Sequence, residues 1–257
     1  LTLEAGQVQE VTAQVLVPDL QIRYQQQDIT LQQFSAQLSW QQQQPYWQAT
    51  LEQAQGLINQ QAVVLKQFSM EQATPSSLFI GLQELDIAQI APVLASLKLT
   101  PPLLKTWLIQ AQPTGKISKL WADFEQKPFR VKQISAQMQQ LSALASKQMI
   151  GWQGVDAWLN HQGQHGSAAL TINQGQLDLK AIYRQPTPIE QLQVAVKWTD
   201  LDDAWLLETN RLTLKNVDAQ GEAVLSLWLP KQDMSAAQMQ LLANITQGNL
   251  ASVWRYV

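Results

Sequence analysis

Period-two alternation of apolar and polar residues runs through most of this sequence and constrains its fold more than any other feature. The clearest runs place three or four apolar residues at alternate positions: Ile134, Ala136 and Met138; Leu192, Val194, Val196 and Trp198; Leu225, Leu227 and Leu229. Side chains of a strand project alternately to its two faces, so such segments bury one face. The same test predicts further strands at about 7–17, 20–25, 29–40, 45–54, 57–66, 78–85, 115–125, 166–172, 176–184, 204–215 and 235–246.

Short turn signals separate these segments. They are Asn173-Gln174-Gly175, Asp218-Ala219-Gln220-Gly221 and Gln247-Gly248-Asn249, and residues 41–44, four glutamines, are interpreted as a hairpin loop. Short turns favour antiparallel neighbours. No alternation of strand, helix and strand recurs, which argues against a doubly wound parallel sheet.

One segment has helical spacing instead. Apolar residues at three- and four-residue intervals mark one helix face: Ile87, Ile90, Ala91, Leu94 and Leu97. Pro92 must then lie in a first turn or at a kink. Thr100 followed by Pro101 predicts an N-cap and the start of a second helix to about Ala111. The predicted organisation is a β segment at 1–86, a helical hairpin at 87–112 and a β segment at 113–257, in one continuous elongated domain.

Composition limits the function classes. The 17 Lys and Arg and 20 Asp and Glu give a net charge of −3, so nucleic acid is not an expected partner. There is no cysteine, which excludes disulfides and thiolate metal sites. No window approaches 18 consecutive apolar residues, so no membrane span is predicted. Because the chain starts at Leu1 and stops within a pattern, we expect it to be a fragment of a longer protein.

The sequence contains no catalytic or metal-binding pattern that outweighs a simpler interpretation. His161 and His165 lie four residues apart in a polar stretch that contains Gly163 and Gly166 and no acidic partner, and they are interpreted as residues of a solvated loop. Asp200, Asp202 and Asp203 lack the spacing of a calcium loop and are interpreted as a polar turn. No Gly-x-Ser-x-Gly or phosphate-binding glycine loop is present. We therefore expect a protein that is not an enzyme, with no catalytic residues, no metal and no cofactor.

Aromatic residues offer one alternative, because tryptophans can stack on sugar rings. The candidates are Trp152, Trp158, Trp198, Trp205 and Trp228. They fall within apolar alternation and lack neighbouring Asn, Asp and Arg clusters, which favours a core or groove lining over carbohydrate binding.

The order of several segments supports a family resemblance. The strand at 78–86 precedes the two predicted helices and then Gln112-Pro113-Thr114-Gly115-Lys116-Ile117. Residues 166–172, 188–190 and 252–256 follow. This order resembles the YhdP family of AsmA-like envelope proteins, in which a strand ending in L-(D/E/A)-L, a leucine-rich helical pair and a Q-P-(S/T)-G-x-I exit recur. The resemblance covers most of the chain from about Leu78 and, more faintly, the residues before it.

The resemblance implies a mainly β fold in which a long curved antiparallel sheet forms an apolar groove, with a short helical pair inserted. It also implies the periplasmic part of a Gram-negative inner-membrane protein, anchored by an N-terminal helix outside this segment, that helps to carry phospholipid toward the outer membrane. Phospholipid acyl chains are the expected partners, with possible outer-membrane or periplasmic partner proteins. The predicted groove-lining residues are Ile134, Met138, Leu170, Ile172, Leu192, Val194, Val196, Trp198, Leu225 and Leu227.

A physical argument points the same way. A long sheet with one apolar face would expose more apolar area than soluble monomers tolerate, so that face must enclose something, and lipid chains suit it. Three functions remain open: a lipid-conducting groove, a structural or adhesive β-stalk with a filled core, and a carbohydrate-binding β protein.

Overall fold

The computed structural model describes residues 2–4, 7–24, 27–43, 46–98, 100–126, 129–146, 149–179 and 185–249. It is mainly β. The strands are β1 (Thr2–Glu4), β2 (Gln7–Tyr24), β3 (Gln27–Gln43), β4 (Tyr46–Ile58), β5 (Gln61–Thr74), β6 (Ser77–Asp86), β7 (Thr114–Gln126), β8 (Phe129–Ala143), β9 (Gly151–Gln162), β10 (His165–Asp178), β11 (Thr187–Asp200), β12 (Ala204–Lys215), β13 (Ala219–Pro230) and β14 (Gln238–Gly248). Two helices, α1 (Ile87–Ser96) and α2 (Pro102–Ala111), lie between β6 and β7.

Each strand neighbours the next one in chain order, from β1 to β14, in an open antiparallel sheet. This order follows from the short connections, because a turn of a few residues can only join antiparallel neighbours. The prediction of a mainly β, antiparallel fold with a short inserted helical pair is confirmed. The chain divides into two compact units, Leu1–Ile134 and Ser135–Val257.

Two pairs of predicted strands are in fact single long strands. Segments 7–17 and 20–25 both fall in β2 as far as Tyr24; the strand continues through Pro18, and residue 25 lies outside the described part of the chain. Segments 166–172 and 176–184 both fall in β10 as far as Asp178, and residues 180–184 lie outside the described part of the chain. The turn predicted at 173–175 is wrong: Gln174 has a φ of 62°, and the register with β9 shifts between Ile172 and Gln176. This is a β-bulge within a continuous strand.

Other boundaries also differ from the prediction. The strand predicted at 57–66 crosses the turn between β4 and β5, where Asn59 and Gln60 have φ values of 49° and 67°. Residues 41–43 pair with β4 instead of forming a loop, and Gln44 lies outside the described residues. The turn predicted from Asp218 ends sooner, because β13 begins at Ala219. Strand β9 was not predicted at all.

Helix α1 begins where Asp86, the last residue of β6, accepts a hydrogen bond from the Ala88 N–H (2.9 Å). Its most deeply buried side chains are Ala91 and Val93, and it contacts β5, β6 and β7. Pro92 lies inside the helix, beyond its first turn, and lacks the N–H that would bond to the preceding turn. The predicted stripe is buried at Ala91 and half-buried at Ile87, Ile90 and Leu94, and Val93, which was not predicted, is buried as well.

Helix α2 is capped differently from the prediction. The Thr100 hydroxyl donates to the carbonyl of Leu94 (2.5 Å), so it serves the end of α1 rather than the start of α2. Pro101 precedes the helix without a side-chain cap, and Pro102 is the first helical residue. Proline is tolerated there because the first N–H groups of a helix have no intrahelical partner.

Strands of the first unit change the phase of their alternation once along their length. In β4 to β7, two consecutive polar residues separate neighbouring apolar positions: Glu52 and Gln53, Lys66 and Gln67, Gln83 and Glu84, Ser118 and Lys119. Gln53 and Glu84 have φ values of 51° and 52°, and Gln33 in β3 has a φ of 50°. A residue in the left-handed conformation can act as an extra residue of the strand, a β-bulge. It shifts the alternation by one position, so that the apolar residues before and after it project to the same face.

Candidate functional site

One face of the second unit is apolar over six strands. Residues paired across an antiparallel ladder project to the same face, so the registers define rows that cross the sheet. Four rows run from β9 to β14: Val155, Ile172, Leu192, Leu214, Gly221 and Ile245; Ala157, Leu170, Val194, Leu212, Ala223 and Ala243; Leu159, Ala168, Val196, Thr209, Leu225 and Leu241; His161, Gly166, Trp198, Leu207, Leu227 and Met239. We refer to these as the apolar rows. They contain no Asp, Glu, Lys or Arg.

The opposite face of the same strands is more polar. Two of its complete rows are Asp156, Thr171, Gln193, Thr213, Glu222 and Asn244, and Asn160, Ser167, Lys197, Glu208, Ser226 and Gln240. Apolar side chains such as Trp158 and Val224 also occur on this face, but it carries the charged residues that the apolar rows lack. A sheet with one such face is built to lie against a nonpolar partner on that side and water on the other.

The first unit has a similar face. Two rows cross β2 to β7: Val11, Trp40, Ala49, Met70, Ile80 and Ala122, and Ala13, Leu38, Leu51, Phe68, Leu82 and Leu120. A third row beyond the phase change joins Ala54, Leu65, Leu85 and Ile117. Charges of this unit pair on the other side: Lys66 Nζ lies 2.7 Å from Glu84 Oε1, and that hydrogen bond, followed by the lysine charge, lowers the pKa of Glu84.

The apolar rows are neither sealed nor freely exposed. Two of their residues, Val155 and Ile172, form a buried cluster with Ile189, a residue of β11 outside the rows, and Ile172 is only 1% exposed. Most of the remaining positions, including Leu170 and Val194, are half-buried. On β14 every residue is exposed. The face thus combines a packed region with a larger area of partly accessible apolar side chains.

The predicted lining residues fall mostly within these rows. Eight of them lie there: Leu170, Ile172, Leu192, Val194, Val196, Trp198, Leu225 and Leu227. Met138 is a half-buried residue of β8 in the second unit, and Ile134, also half-buried, is the last residue of the first unit. Sequence reasoning missed the contribution of β9, whose alternating Val155, Ala157 and Leu159 were the available signal. The role of all these residues in lining a lipid path stays a prediction.

His161 is not in a solvated loop, which corrects the interpretation from sequence. It belongs to β9 and lies in the apolar rows, where its ring stacks on Trp198 with centroids 6.0 Å apart. Gly166 lies between them, and a Cβ there would be 2.0 Å from two atoms of the Trp198 indole. His165 instead begins β10 on the polar face, exposed, with Nδ1 3.3 Å from the Thr199 hydroxyl.

The aspartate cluster is a turn, as predicted. Asp202 and Asp203 form the bend between β11 and β12, and Asp200 Oδ1 lies 2.6 Å from Lys231 Nζ. That ammonium also lies 5.4 Å from the centre of the Trp205 ring. In the part of the chain that the structure describes, no group of three or more His, Asp or Glu side chains could hold a metal.

The five tryptophans considered for sugar binding do not gather at one place. Trp198 and Trp205 lie on the apolar face, and Trp152 packs against its buried cluster. Trp158 and Trp228 pair within the rows of the opposite face, with Ala169 and Leu206 respectively. This separation gives no support to a common carbohydrate site.

The apolar rows can offer a ligand dispersion and hydrophobic contact over a broad surface, and few polar groups.

None of the described helices is long and apolar enough to cross a bilayer. Among family models, one described as YhdP protein matches residues 1–257, the whole chain. Comparison with curated proteins and with solved structures finds no match.

Proposed function

The chain belongs to the YhdP family of Gram-negative envelope proteins, and from that premise we propose that it is a segment of a periplasmic lipid-conducting groove. In this proposal the segment moves phospholipids between the inner and outer membranes and has no catalytic role. An N-terminal helix outside this segment anchors the protein in the inner membrane. The proposal includes a contribution to the permeability barrier of the outer membrane, together with outer-membrane or periplasmic partner proteins.

The observation that carries the proposal is the set of apolar rows. Along the strands, the rows extend from Val155 to His161, six residues apart and therefore about 20 Å. Across the strands they extend over five spacings, about 24 Å. The rows therefore cover roughly 500 Å² of sheet, and the half-buried apolar side chains outside the packed cluster favour a nonpolar partner.

Lipid suits this surface energetically. Each buried CH₂ gains about 0.8 kcal/mol, so an acyl chain of about 15 carbons needs about 12 kcal/mol of shielding once it leaves a bilayer. A face lined by Leu, Val and Ala supplies that shielding without oriented polar groups. Half of a bilayer core is about 15 Å, so the rows are long enough for one acyl chain lying along the strands.

The alternative function, a structural β-stalk with a filled core, requires that the protein's own side chains cover the apolar face. Half-burial at Leu170, Val194 and Val196 favours the groove, because a filled core would leave such residues inaccessible. Carbohydrate binding requires tryptophans and polar groups at one site, and the five candidates lie on two faces.

Native protein prepared without detergent provides the direct test. Solvent extraction followed by mass spectrometry should recover phospholipid at a stoichiometric level or above. A repeat after incubation with isotope-labelled vesicles should show exchange into the bound pool. Protein that is folded by circular dichroism but carries no lipid, and acquires none from vesicles, would exclude the groove.

A further inference from the structure

The apolar face of the second unit changes character along its strands. On β11 the residues of this face are Leu192, Val194, Val196 and Trp198, and the strand ends at Asp200, which is paired with Lys231. Along β11 the side chains of this face are first aliphatic, then aromatic and finally charged. Half a bilayer has the same order, with tryptophan enriched where hydrocarbon meets the headgroups.

His161 adds a polar atom to the aromatic end. Its Nδ1 is shielded from solvent and has no hydrogen-bond partner among the described residues. A buried polar group without a partner costs about 1 to 3 kcal/mol, so natural structures usually satisfy it. The other polar side chain of the rows, Thr209, is already satisfied, since its hydroxyl accepts the Leu225 N–H (2.9 Å). His161 is therefore the residue of the rows that still requires a partner.

The ring of His161 is held in place. The Trp198 indole stacks on it with an angle of 14° between the planes, and this contact passes over Gly166 because glycine has no Cβ to block it. Position 166 needs a residue without a side chain for this stack to form. The plane of the imidazole is consequently fixed at one end of the apolar rows.

We propose that His161 and Trp198 mark the position of the polar end of a bound glycerophospholipid, with His161 donating a hydrogen bond from Nδ1 to an ester or phosphate oxygen after a half-turn of its ring, which keeps the ring plane stacked on Trp198. The acyl chains then lie along the strands, past Val194 and Leu170 toward Ile172. This assignment rests on the proposed lipid-conducting function and adds an orientation and a specificity residue to it.

The opposite end of the rows does not suit a headgroup. There Ile172 and Ile189 are 1% and 2% exposed and pack with Leu141, Trp152 and Leu177. A phosphate at that end would lose its hydration without gaining a donor. The distance from His161 to Val155, about 20 Å, exceeds the roughly 15 Å occupied by one leaflet's chains, so the tails end near this packed cluster.

Three photoreactive probes test the orientation in the intact protein. One is a phosphatidylethanolamine with a diazirine beside the phosphate, the second carries it at the end of an acyl chain, and the third is a diazirine alkane without ester or phosphate. The first should label peptides containing His161 or Trp198, and the second peptides containing Ile172 or Leu192. The reverse pattern, or equal labelling by both lipid probes, would overturn the orientation.

Matched variants test the hydrogen bond. His161→Phe keeps the stack on Trp198 and removes the nitrogen, so retention of the phospholipid should fall roughly 2- to 10-fold, the effect of one neutral hydrogen bond. Retention of the alkane should not change. His161→Gln should restore part of the phospholipid retention, and His165→Phe, on the polar face, should have no effect.

The outcomes separate the two proposals. Equal phospholipid retention by His161→Phe and the parent refutes the role of His161 while leaving the groove intact. Failure of all three probes to label the apolar rows refutes the groove itself. Melting curves accompany each variant, and if His161→Phe does not fold, the labelling pattern of the parent protein decides the orientation.

Discussion

Placing a carboxylate at Val194 tests the central claim that the apolar rows are an accessible lipid surface. Val194 lies in the second of these rows, between Leu170 and Leu212 on the neighbouring strands. Its side chain is half-buried. The substitution Val194→Asp puts a charge in the middle of the face without changing the length of the strand.

The loss of unfolding free energy expected for Val194→Asp differs between a groove and a filled core. Full burial of a valine contributes about 1.5 to 3 kcal/mol, so loss of a half-buried one should cost about 1 kcal/mol of unfolding free energy. In a dry core an unpaired carboxylate would cost roughly 3 to 5 kcal/mol instead. Under a bound acyl chain the same charge loses its water, and at about 1.4 kcal/mol per tenfold change this should lower lipid retention more than 100-fold.

Ala195→Asp is the matched control. Ala195 is the next residue of β11, faces the opposite side, is exposed, and pairs with Ala169. Because both variants place aspartate in the same strand, they share the cost of its low strand propensity. The difference between them therefore reports the face alone.

The assay measures chemical denaturation and photo-crosslinking to lipid on the same preparations. We expect Val194→Asp to remain folded, to be destabilised by about 1 to 2 kcal/mol and to lose lipid, while Ala195→Asp keeps its lipid. Unfolding of Val194→Asp beside a stable control would favour the filled stalk. A folded Val194→Asp protein that crosslinks to lipid as well as the parent would refute the placement of this strand in the groove.

Three further predictions concern backbone conformation and packing. Gly166→Ala adds a methyl group 2.0 Å from indole atoms of Trp198, so it should cost about 1 to 3 kcal/mol and change tryptophan fluorescence; an unchanged spectrum would contradict the stack. Gln174→Gly removes a side chain from a left-handed position and should raise the free energy of unfolding by up to about 1 kcal/mol in urea denaturation, whereas a loss would show that the side chain is needed. Val93→Ala truncates a side chain that is 3% exposed in α1 and should cost about 2 kcal/mol, while Leu103→Ala, at 87% exposure in α2, should stay within about 0.5 kcal/mol; equal melting temperatures would contradict the burial of Val93 where α1 contacts the sheet.

Alternation was sufficient to predict β11 and its apolar face. Leu192, Val194, Val196 and Trp198 share one side of that strand, as the period of two requires. The antiparallel order also followed from the short turns. These features are local, and neighbouring residues carry the whole signal.

Prediction failed where a continuous strand changes phase. The segment Asn173-Gln174-Gly175 has the composition of a turn, and its residues do adopt an unusual conformation, but pairing with β9 and β11 carries the strand through it. The strand boundary predicted around Pro18 was wrong for the same reason, since β2 continues through this residue. Pairing with neighbouring strands decides these cases, and sequence alone does not show those strands.

The site at His161 could not be found from its neighbours. Glycines and polar residues around it favour a loop, and the partners that place it on the apolar face, Gly166 and Trp198, come from two other strands. A period-two comparison over 155–161 would have put His161 in phase with Val155 and Leu159. The weaker aliphatic character of that segment hid the pattern.

The bulges in β3 and β4 bear on how such a chain can change over evolution. Between Leu31 and Leu38, β3 gains one residue at Gln33, and between Leu51 and Ile58, β4 gains one at Gln53; the register is the same on both sides of the pair. Deleting either glutamine alone would rotate half a strand by one residue and turn its apolar side chains outward. Deleting both would restore the alignment of β3 with β4, but it would shift β3 against β2 and β4 against β5, which pair with them on both sides of these glutamines. The loss of one residue in a strand should therefore require matching losses in its neighbours, so that the length of one strand becomes a heritable constraint on the length of the next.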